Sequence, residues 1–366
     1  MEELMSKLFE TLSFSHGPGM KNRFMLAPLT NSQSRPDGIL TDDEYKWLTM
    51  RAEGGFGLTM TCAVHVQAQG QGFPCQLGAY SDDHIEGLAR LAEGIRAHDS
   101  VSICQIHHGG MRSLSDLTGE TPVCPSDNEE TGARAMTTAE VEQLVGDFIS
   151  GALRCQKAGF DGIEIHGAHG YIVSQFLSAE INLRDDQYGG SLENRSRVLT
   201  EIIDGIREQC GPDFMLGVRL SPERFGIELP DAISVAQTIM SSGKIDFLDM
   251  SLWDVFKEPA EEEYQGRSLM SYFTELDRNG VRLGVAGQIR TPEDAEKALA
   301  AGADWVMLGR AAIIHHDFPN QYLQNPDFTP VELPVTEEHL KKEGLTDKFI
   351  SYLNKGWSGF VATDQE

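Results

Sequence analysis

Cysteine is scarce in this chain: six among 366 residues, at positions 62, 75, 104, 124, 155 and 210, with no C-x-x-C pair. That number and that scatter exclude a disulfide scaffold and a zinc ribbon. Cys104 and Cys155 stand in apolar surroundings, where buried free thiols are common. No stretch approaches the ~18 consecutive apolar residues of a membrane-spanning helix. The opening Met1-Glu2-Glu3-Leu4-Met5-Ser6-Lys7, with two acids and no apolar run, predicts no signal peptide. Basic residues are also in deficit. Thirty Lys+Arg face 56 Asp+Glu, a net charge of −26, and that field repels phosphate backbones and anionic lipid surfaces. Nucleic acid and membrane are excluded as partners, which leaves small molecules or other proteins in a reduced, cytoplasmic setting. No G-x-G-x-x-G follows a strand-like run and no G-x-x-x-x-G-K-[ST] occurs, which argues against a Rossmann sheet and a P-loop.

What is present is a repeated alternation of short apolar runs with longer amphipathic stretches. Phe24–Ala27, Leu58–Cys62, Val101–Ile106, Gly162–Ile165, Met215–Leu220, Phe247–Met250, Arg282–Val285 and Trp305–Leu308 read as strands. Helix starts lie between them. Thr41-Asp42-Asp43-Glu44 and Thr137-Thr138-Ala139-Glu140 are capping boxes, and Thr291-Pro292-Glu293-Asp294 puts Pro at the first helical position. An internal echo repeats: Ala158-Gly159-Phe160-Asp161, Ser242-Gly243-Lys244-Ile245-Asp246 and Ala301-Gly302-Ala303-Asp304 each precede an apolar run. Each reads as a helix ending at Gly, a turn Asp and a buried strand. Eight strands separated by helices mean an α/β fold with a parallel sheet, and a closed (β/α)8 TIM barrel fits eight units better than an open sheet. The predicted barrel occupies residues 1–325. Residues 326–366 form a tail with one helix (about 337–353), packed on the barrel or on a neighbouring subunit.

In such a barrel functional groups gather where strands end at the C-terminal face. Strand one ends in Ala27-Pro28-Leu29-Thr30, and strand three in Gln105 and His107, which share a face because they are two apart. Strand four runs into His166-Gly167-Ala168-His169-Gly170-Tyr171, strand five carries Arg219, and strands seven and eight run into Gly287 and Gly309-Arg310. Backbone N–H groups at Gly287 and Gly309 beside Arg310 make a candidate phosphate site; the structural alternative is two tight turns and an Arg paired with a carboxylate. His166 and His169 can polarise a carbonyl while the Tyr171 phenol supplies a proton, since a phenol titrates near ~10. Alternatively the two imidazoles join His107 or His108 as zinc ligands. Arg219 inside the barrel needs an anion, either an anionic ring system or a carboxylate of the barrel itself. His315-His316, past strand eight, read as a solvated pair in a short helix.

Three segments carry a resemblance: Asn22 to Thr30, His166 to Tyr171, and Asn182-Leu183-Arg184-Asp185-Asp186-Gln187-Tyr188-Gly189-Gly190-Ser191-Leu192-Glu193-Asn194-Arg195. In order and spacing, from about residue 8 to about residue 320, the chain resembles the Old Yellow Enzyme family of flavin-dependent ene-reductases. The resemblance implies a barrel that binds FMN non-covalently at its C-terminal mouth and no resident metal. Pro28, Leu29 and Thr30 would hold the flavin edge, Ala63 would give a backbone contact, and Gln105 would bond the pyrimidine ring. Arg219 would stand near N1/O2, and Gly287, Gly309 and Arg310 would bind the phosphate. His166 and His169 would hold the carbonyl oxygen of an α,β-unsaturated substrate and Tyr171 would protonate its α-carbon. The reaction implied is ping-pong, with electrons arriving directly from NADH or NADPH. Three positions depart from better-known members: Thr30 where one bacterial branch has a redox-modulating Cys, His107 where others have a bulky aromatic or a small residue, and Lys355 where some carry an Arg that reaches a neighbouring subunit. A homo-oligomer therefore stays open. Loops near His65, Phe73, His107, Trp253 and Tyr272 are expected to shape the pocket. The competing readings are a metal-dependent barrel hydrolase built on the histidines and a barrel serving as a binding protein.

Overall fold

A computed structural model describes residues 6–362. The strands are β1 (Phe24–Leu26), β2 (Leu58–His65), β3 (Val101–His107), β4 (Gly162–Gly167), β5 (Met215–Leu220), β6 (Phe247–Ser251), β7 (Arg282–Ala286) and β8 (Trp305–Leu308). They pair in parallel and close in the order β1-β8-β7-β6-β5-β4-β3-β2, the expected (β/α)8 barrel. Period-two alternation sorts the side chains. Ile163, Ile165, Leu216, Val218, Leu248, Met250, Leu283 and Val285 face outward into one apolar core shared with the helices. Met25, Leu58, Met60, Val101, Ile103, Met215, Phe247 and Trp305 face inward and fill the barrel floor. A hairpin in which Leu12 and Met20 exchange backbone hydrogen bonds (3.0 and 2.8 Å) closes that floor from below, with Phe14 edge-on to Phe247 and Trp305.

The repeated glycine–aspartate turn has a physical basis. Gly159, Gly243 and Gly302 end their helices with positive φ (88°, 66° and 105°), which costs glycine little. The aspartate that follows each one ties two strands together. Asp161 accepts from Ser102 N (2.8 Å), Asp246 from Leu216 N (2.9 Å) and Asp304 from Leu283 N (2.9 Å).

Four expectations need correction. β2 runs to His65 rather than Cys62, because a register shift between Met60 and Ala63 re-phases the strand against β3. The box at Thr41 is only half formed: Thr41 Oγ1 accepts from Glu44 N (3.3 Å), but the Glu44 carboxylate is buried and accepts from Asn31, Cys62 and Ser34 instead. The tail holds two helices, Glu337–Lys342 and Asp347–Gly356, separated at Gly344 with φ 84°. They lie on the barrel of the same chain through Phe349 against Trp47 (5.3 Å between ring centroids) and Thr346 Oγ1 donating to Gln33 Oε1 (2.6 Å). Finally, His315 is buried rather than solvated; its Nε2 accepts from Val331 N (3.0 Å).

The Asn182–Arg195 loop is a clamp. Asn182 Nδ2 donates to Phe176 O and Tyr188 O (2.7 Å each), Arg184 to Pro125 O (2.9 Å), and Arg195 pairs with Asp231 (2.8 Å). It fixes the ground under β4 and β5 without lining the mouth.

Gly217 faces Phe247 across the floor, and a Cβ there would overlap the phenyl ring. Gly217→Ala is expected to cost ~1–3 kcal/mol by overpacking. Gly146→Ala, in a helix with open space at its Cβ, is expected to be neutral or stabilising by up to ~1 kcal/mol. Paired thermal melts check both signs.

Candidate active site

At the C-terminal end the inward-facing residues change from apolar to polar. Gln105 and His107 of β3, Glu164 and His166 of β4, Arg219 of β5, and Asp249 and Ser251 of β6 are all buried. Gln105 Nε2 donates to Glu164 Oε1 (2.6 Å) and Arg219 Nε to Ser251 Oγ (2.6 Å). Glu164 Oε2 and both Asp249 oxygens have no donor among the described residues, and neither has Arg219 Nη1 a partner. Burial pushes the Glu164 carboxyl up; it pushes the Asp249 carboxyl well up, with the Glu164 charge adding to it. A proton held between Glu164 Oε2 and one Asp249 oxygen would accord with both upward shifts, and would leave the other Asp249 oxygen without a donor. The barrel therefore holds two carboxyl groups whose charge is felt by Arg219, but neither stands within 4.0 Å of its guanidinium, and Arg219 Nη1 stays without a partner.

Beyond β4 the chain turns sharply. His169 has φ 60° and Gly170 φ 70°, and a left-handed conformation is uncommon outside glycine. The turn is held by His169 N donating to Ser221 Oγ (3.0 Å), by Arg112 Nη1 donating to His169 O (2.5 Å) and by Gln175 Nε2 donating to Gly170 O (2.8 Å). The result is an aromatic cluster. Ring centroids of His107 and Tyr171 are 4.4 Å apart, His166 and Tyr171 5.1 Å, His166 and His169 5.1 Å, and His107 and His166 5.3 Å.

The hydrogen-bond network assigns the tautomers. Ala168 N donates to His166 Nδ1 (3.3 Å), so His166 carries its proton on Nε2 and donates to His169 Nδ1 (3.3 Å). His169 is then protonated on Nε2. Gln76 Nε2 contacts His107 Nδ1 (3.1 Å), which leaves a buried His107 Nε2–H without a partner. Burial holds His169 and His108 at about 3, and drives His107 and His166 well below the ordinary imidazole value. All are neutral donors at neutral pH. They are not a metal triad: among the described residues, three ligand atoms within 4.8 Å of one another occur only at His316, Asp317 and Glu343, where His316 is already paired with Glu343 (2.7 Å). That geometry gives the metal-hydrolase alternative no support.

A cleft of about 310 Å³ opens beside this cluster. Pro28, Leu29, His169, Arg219, Gly287, Gly309 and Arg310 line it, together with Trp253, Arg290 and Trp357. Thr30 lies against Tyr352 of the last tail helix. Ala63 pairs with Gln105 across β2 and β3, and its carbonyl accepts from Gln76 (2.8 Å). Gly287 has φ 147°, and a Cβ on it would stand 2.7 Å from the Trp253–Asp254 backbone, so only glycine fits. Arg290 and Arg310 have no carboxylate within 4.0 Å among the described residues, and burial together with Arg290 lowers the Arg310 pKa. Sequence reasoning missed Trp357 and Arg290. Trp357 arrives from the tail, 5.3 Å from the Arg310 guanidinium, and no strand-end rule locates it. Lys355 is exposed and lines neither this cleft nor the hollow next to it. Of the five loop positions expected to shape the pocket, Trp253 lines it and His107 packs on Tyr171, whereas His65, Phe73 and Tyr272 line neither space. A larger depression of about 570 Å³ lies at the opposite end of the barrel, around Leu12, Met20 and Lys21, away from these groups.

An unpartnered buried guanidinium N–H, two further arginines without carboxylates, and a backbone approach that only glycine permits together fit a phosphate-bearing, electron-rich ring such as FMN. Fold and site define a flavin-dependent oxidoreductase barrel. The chain belongs to the NADH:flavin oxidoreductase / NADH oxidase family, which it matches over residues 7–326, in agreement with the Old Yellow Enzyme resemblance of its motifs. It is 34% identical over 84% of its length to a probable NADH-dependent flavin oxidoreductase of Bacillus subtilis, of which it covers 85%. It is 36% identical over 83% of its length to an NADPH dehydrogenase of Halalkalibacterium halodurans, of which it covers 90%. An Old Yellow Enzyme homologue from Zymomonas mobilis superposes with a TM-score of 0.80 at 26% identity, over 93% of this chain and 99% of that one. Other matched relatives are longer, and the chain spans about half of them. The protein is an oxidoreductase using FMN and NAD(P)H. No described helix is long and apolar enough to cross a membrane.

The depressed imidazoles make stability depend on pH. In the unfolded chain they titrate near 6.5, whereas in the fold His169 and His108 titrate at about 3. Below pH ~6.5 the unfolded state binds more protons, so stability falls on acidification by up to roughly 1.4 kcal/mol per pH unit for each such histidine. Melting temperature is expected to be level above pH ~7.5 and to drop between pH ~6.5 and ~5. A level profile down to pH ~5 would contradict this burial.

Proposed function

We propose that this enzyme reduces the C=C bond of α,β-unsaturated carbonyl compounds in a ping-pong cycle, with NAD(P)H leaving before the acceptor enters. FMN, when bound, supplies the hydride-carrying ring. Pro28, Leu29 and Thr30 would hold one edge of it, with Ala63 and Gln105 at the pyrimidine side. Arg219 would offer its free N–H to the electron-rich part of the ring. Gly287, Gly309 and Arg310, with Arg290, would receive the phosphate. Ser251 Oγ holds Arg219 Nε and leaves Nη1 without a partner.

His169 offers its Nε2–H to the acceptor's carbonyl oxygen as a neutral donor, and His166, whose Nε2–H is given to His169 Nδ1 without acceptor present, would turn that N–H from His169 to the same oxygen. Their depressed pKa values keep them from competing as acids, so the bonds strengthen only as negative charge develops on that oxygen. Tyr171, at the edge of the same cluster, delivers the proton to the α-carbon. The observation that carries this reading is the convergence of two neutral imidazoles and a phenol beside a cleft whose arginines lack carboxylates. A cytoplasmic setting, where nicotinamides are supplied, suits the six free thiols.

Tyr171→Phe is expected to slow the half-reaction with an enone by ~10²–10⁴, far more than the half-reaction with NAD(P)H. Stopped-flow measurement of each half separately checks this, and equal losses would remove the phenol as proton donor. Arg310→Ala is expected to raise the Kd for FMN by about 10- to 100-fold, the range for losing a charged hydrogen bond. The Kd for riboflavin, which has no phosphate, should move far less. Fluorescence titration of the apoprotein measures both.

A further inference from the structure

In a chain with a net charge of −26, most guanidinium groups stand within 4.0 Å of a carboxylate. Among the described residues the arginines without such a neighbour are Arg51, Arg96, Arg112, Arg219, Arg224, Arg290 and Arg310, and all but the first two line the barrel mouth. Arg219, Arg290 and Arg310 face the flavin cleft. Arg112 and Arg224 do not. They line an adjoining open hollow of about 530 Å³ together with His169, Tyr171, Phe225 and Trp253.

Both are held in place without being neutralised. Arg112 donates to His169 O, and its guanidinium lies 4.6 Å from the Tyr171 ring centroid. Arg224 lies 4.3 Å from the Trp253 ring centroid. Its backbone has φ 72° and that of Phe225 φ 56°, two consecutive non-glycine residues in a conformation that L-residues avoid and that concentrates at ligand sites. The adjacent carboxylate, Glu223, is turned inward to Lys257 and Ala260 N (2.9 Å). Glu180 faces the same loop at Gly226 but stands more than 4.0 Å from both guanidinium groups. An acidic protein has therefore kept two unneutralised cations over its proposed proton donor.

We propose that this hollow binds an anionic group of the acceptor, so that the substrate is an α,β-unsaturated carbonyl compound carrying a carboxylate, gripped by Arg112 and Arg224 while its carbonyl faces His169 and Tyr171. The proposal rests on the enone-reducing reading of the site and adds the substrate class. A guanidinium matches a carboxylate bidentately, and a positive rim on a negative protein focuses anions on the mouth. The phosphates of the nicotinamide are the other source of anion. Arg112 touches the Tyr171 ring itself, which favours the molecule being protonated.

The test uses flavin-loaded wild type, Arg112→Gln and Arg224→Gln, with (E)-4-oxopent-2-enoate and its methyl ester as acceptors of identical carbon skeleton. The readout is the ratio of kcat/KM for acid over ester, which a general loss of fold or flavin would leave unchanged. The ratio is expected to fall about tenfold in each variant, to recover in part in Arg112→Lys, and to fall in wild type as salt is raised from about 20 to about 300 mM. An unchanged ratio overturns the proposal. So does a rise in the KM for NAD(P)H with no change in the ratio, which would assign the arginines to the donor. If wild type reduces neither acceptor, the enone reading has failed on its own, and acid-induced quenching of tryptophan fluorescence decides the subsite. Quenching weakened in both variants supports an anion site beside Trp253, and its absence in wild type overturns one.

Discussion

A charge buried inside the barrel is the constraint on which the upper half of this structure depends. Moving a guanidinium out of water costs several kcal/mol unless a partner compensates it. Arg219 meets that cost only in part: Glu164 and Asp249 act on it through their charge, but burial pushes both carboxyls up and neither stands within 4.0 Å of the guanidinium. Gln105 satisfies a Glu164 oxygen and Ser251 takes the Arg219 Nε. The group is incompletely hydrogen-bonded, with Arg219 Nη1 a donor left over. A purely structural charge has no reason to leave a donor over. A site that receives an electron-rich ring does.

The same layer sets the chemistry of the rim. β4 carries Glu164 at one inward position and His166 at the next, with His166 opposite Arg219 across the β4–β5 register. Arg219 and the dry surroundings together hold the imidazoles neutral. His169 then depends on a strained left-handed turn that Ser221, Arg112 and Gln175 fasten from three different segments. Positioning of this kind matters because a donor aimed before charge develops needs no reorganisation at the moment of reaction. The apolar floor and the Asn182–Arg195 clamp supply the rigidity beneath it.

Much of this was legible in the sequence because it follows short-range rules. The strand starts, the glycine–aspartate turns and the polar residues at strand ends each depend on a few neighbouring positions. The bulge in β2 and the diversion of Glu44 from its cap to a buried site depend on contacts with Gln105 and with Asn31 and Cys62, which no local motif specifies. Within the site the division is the same. His166, His169, Tyr171 and Arg219 are read off their strands. Arg112 and Trp357 arrive on a loop and a tail helix, whose paths are decided by packing. The most distinctive motif, Asn182 to Arg195, proved to be scaffold: its specificity reflects a dense hydrogen-bond pattern rather than contact with the mouth.

A crystal structure of the flavin-loaded protein tests the central claim most directly. The account requires one FMN per chain across the barrel mouth, its phosphate between Arg290 and Arg310, Arg219 bonded to the ring, and His166, His169 and Tyr171 over one face. Flavin bound elsewhere, or those three side chains turned away from the ring, would contradict it.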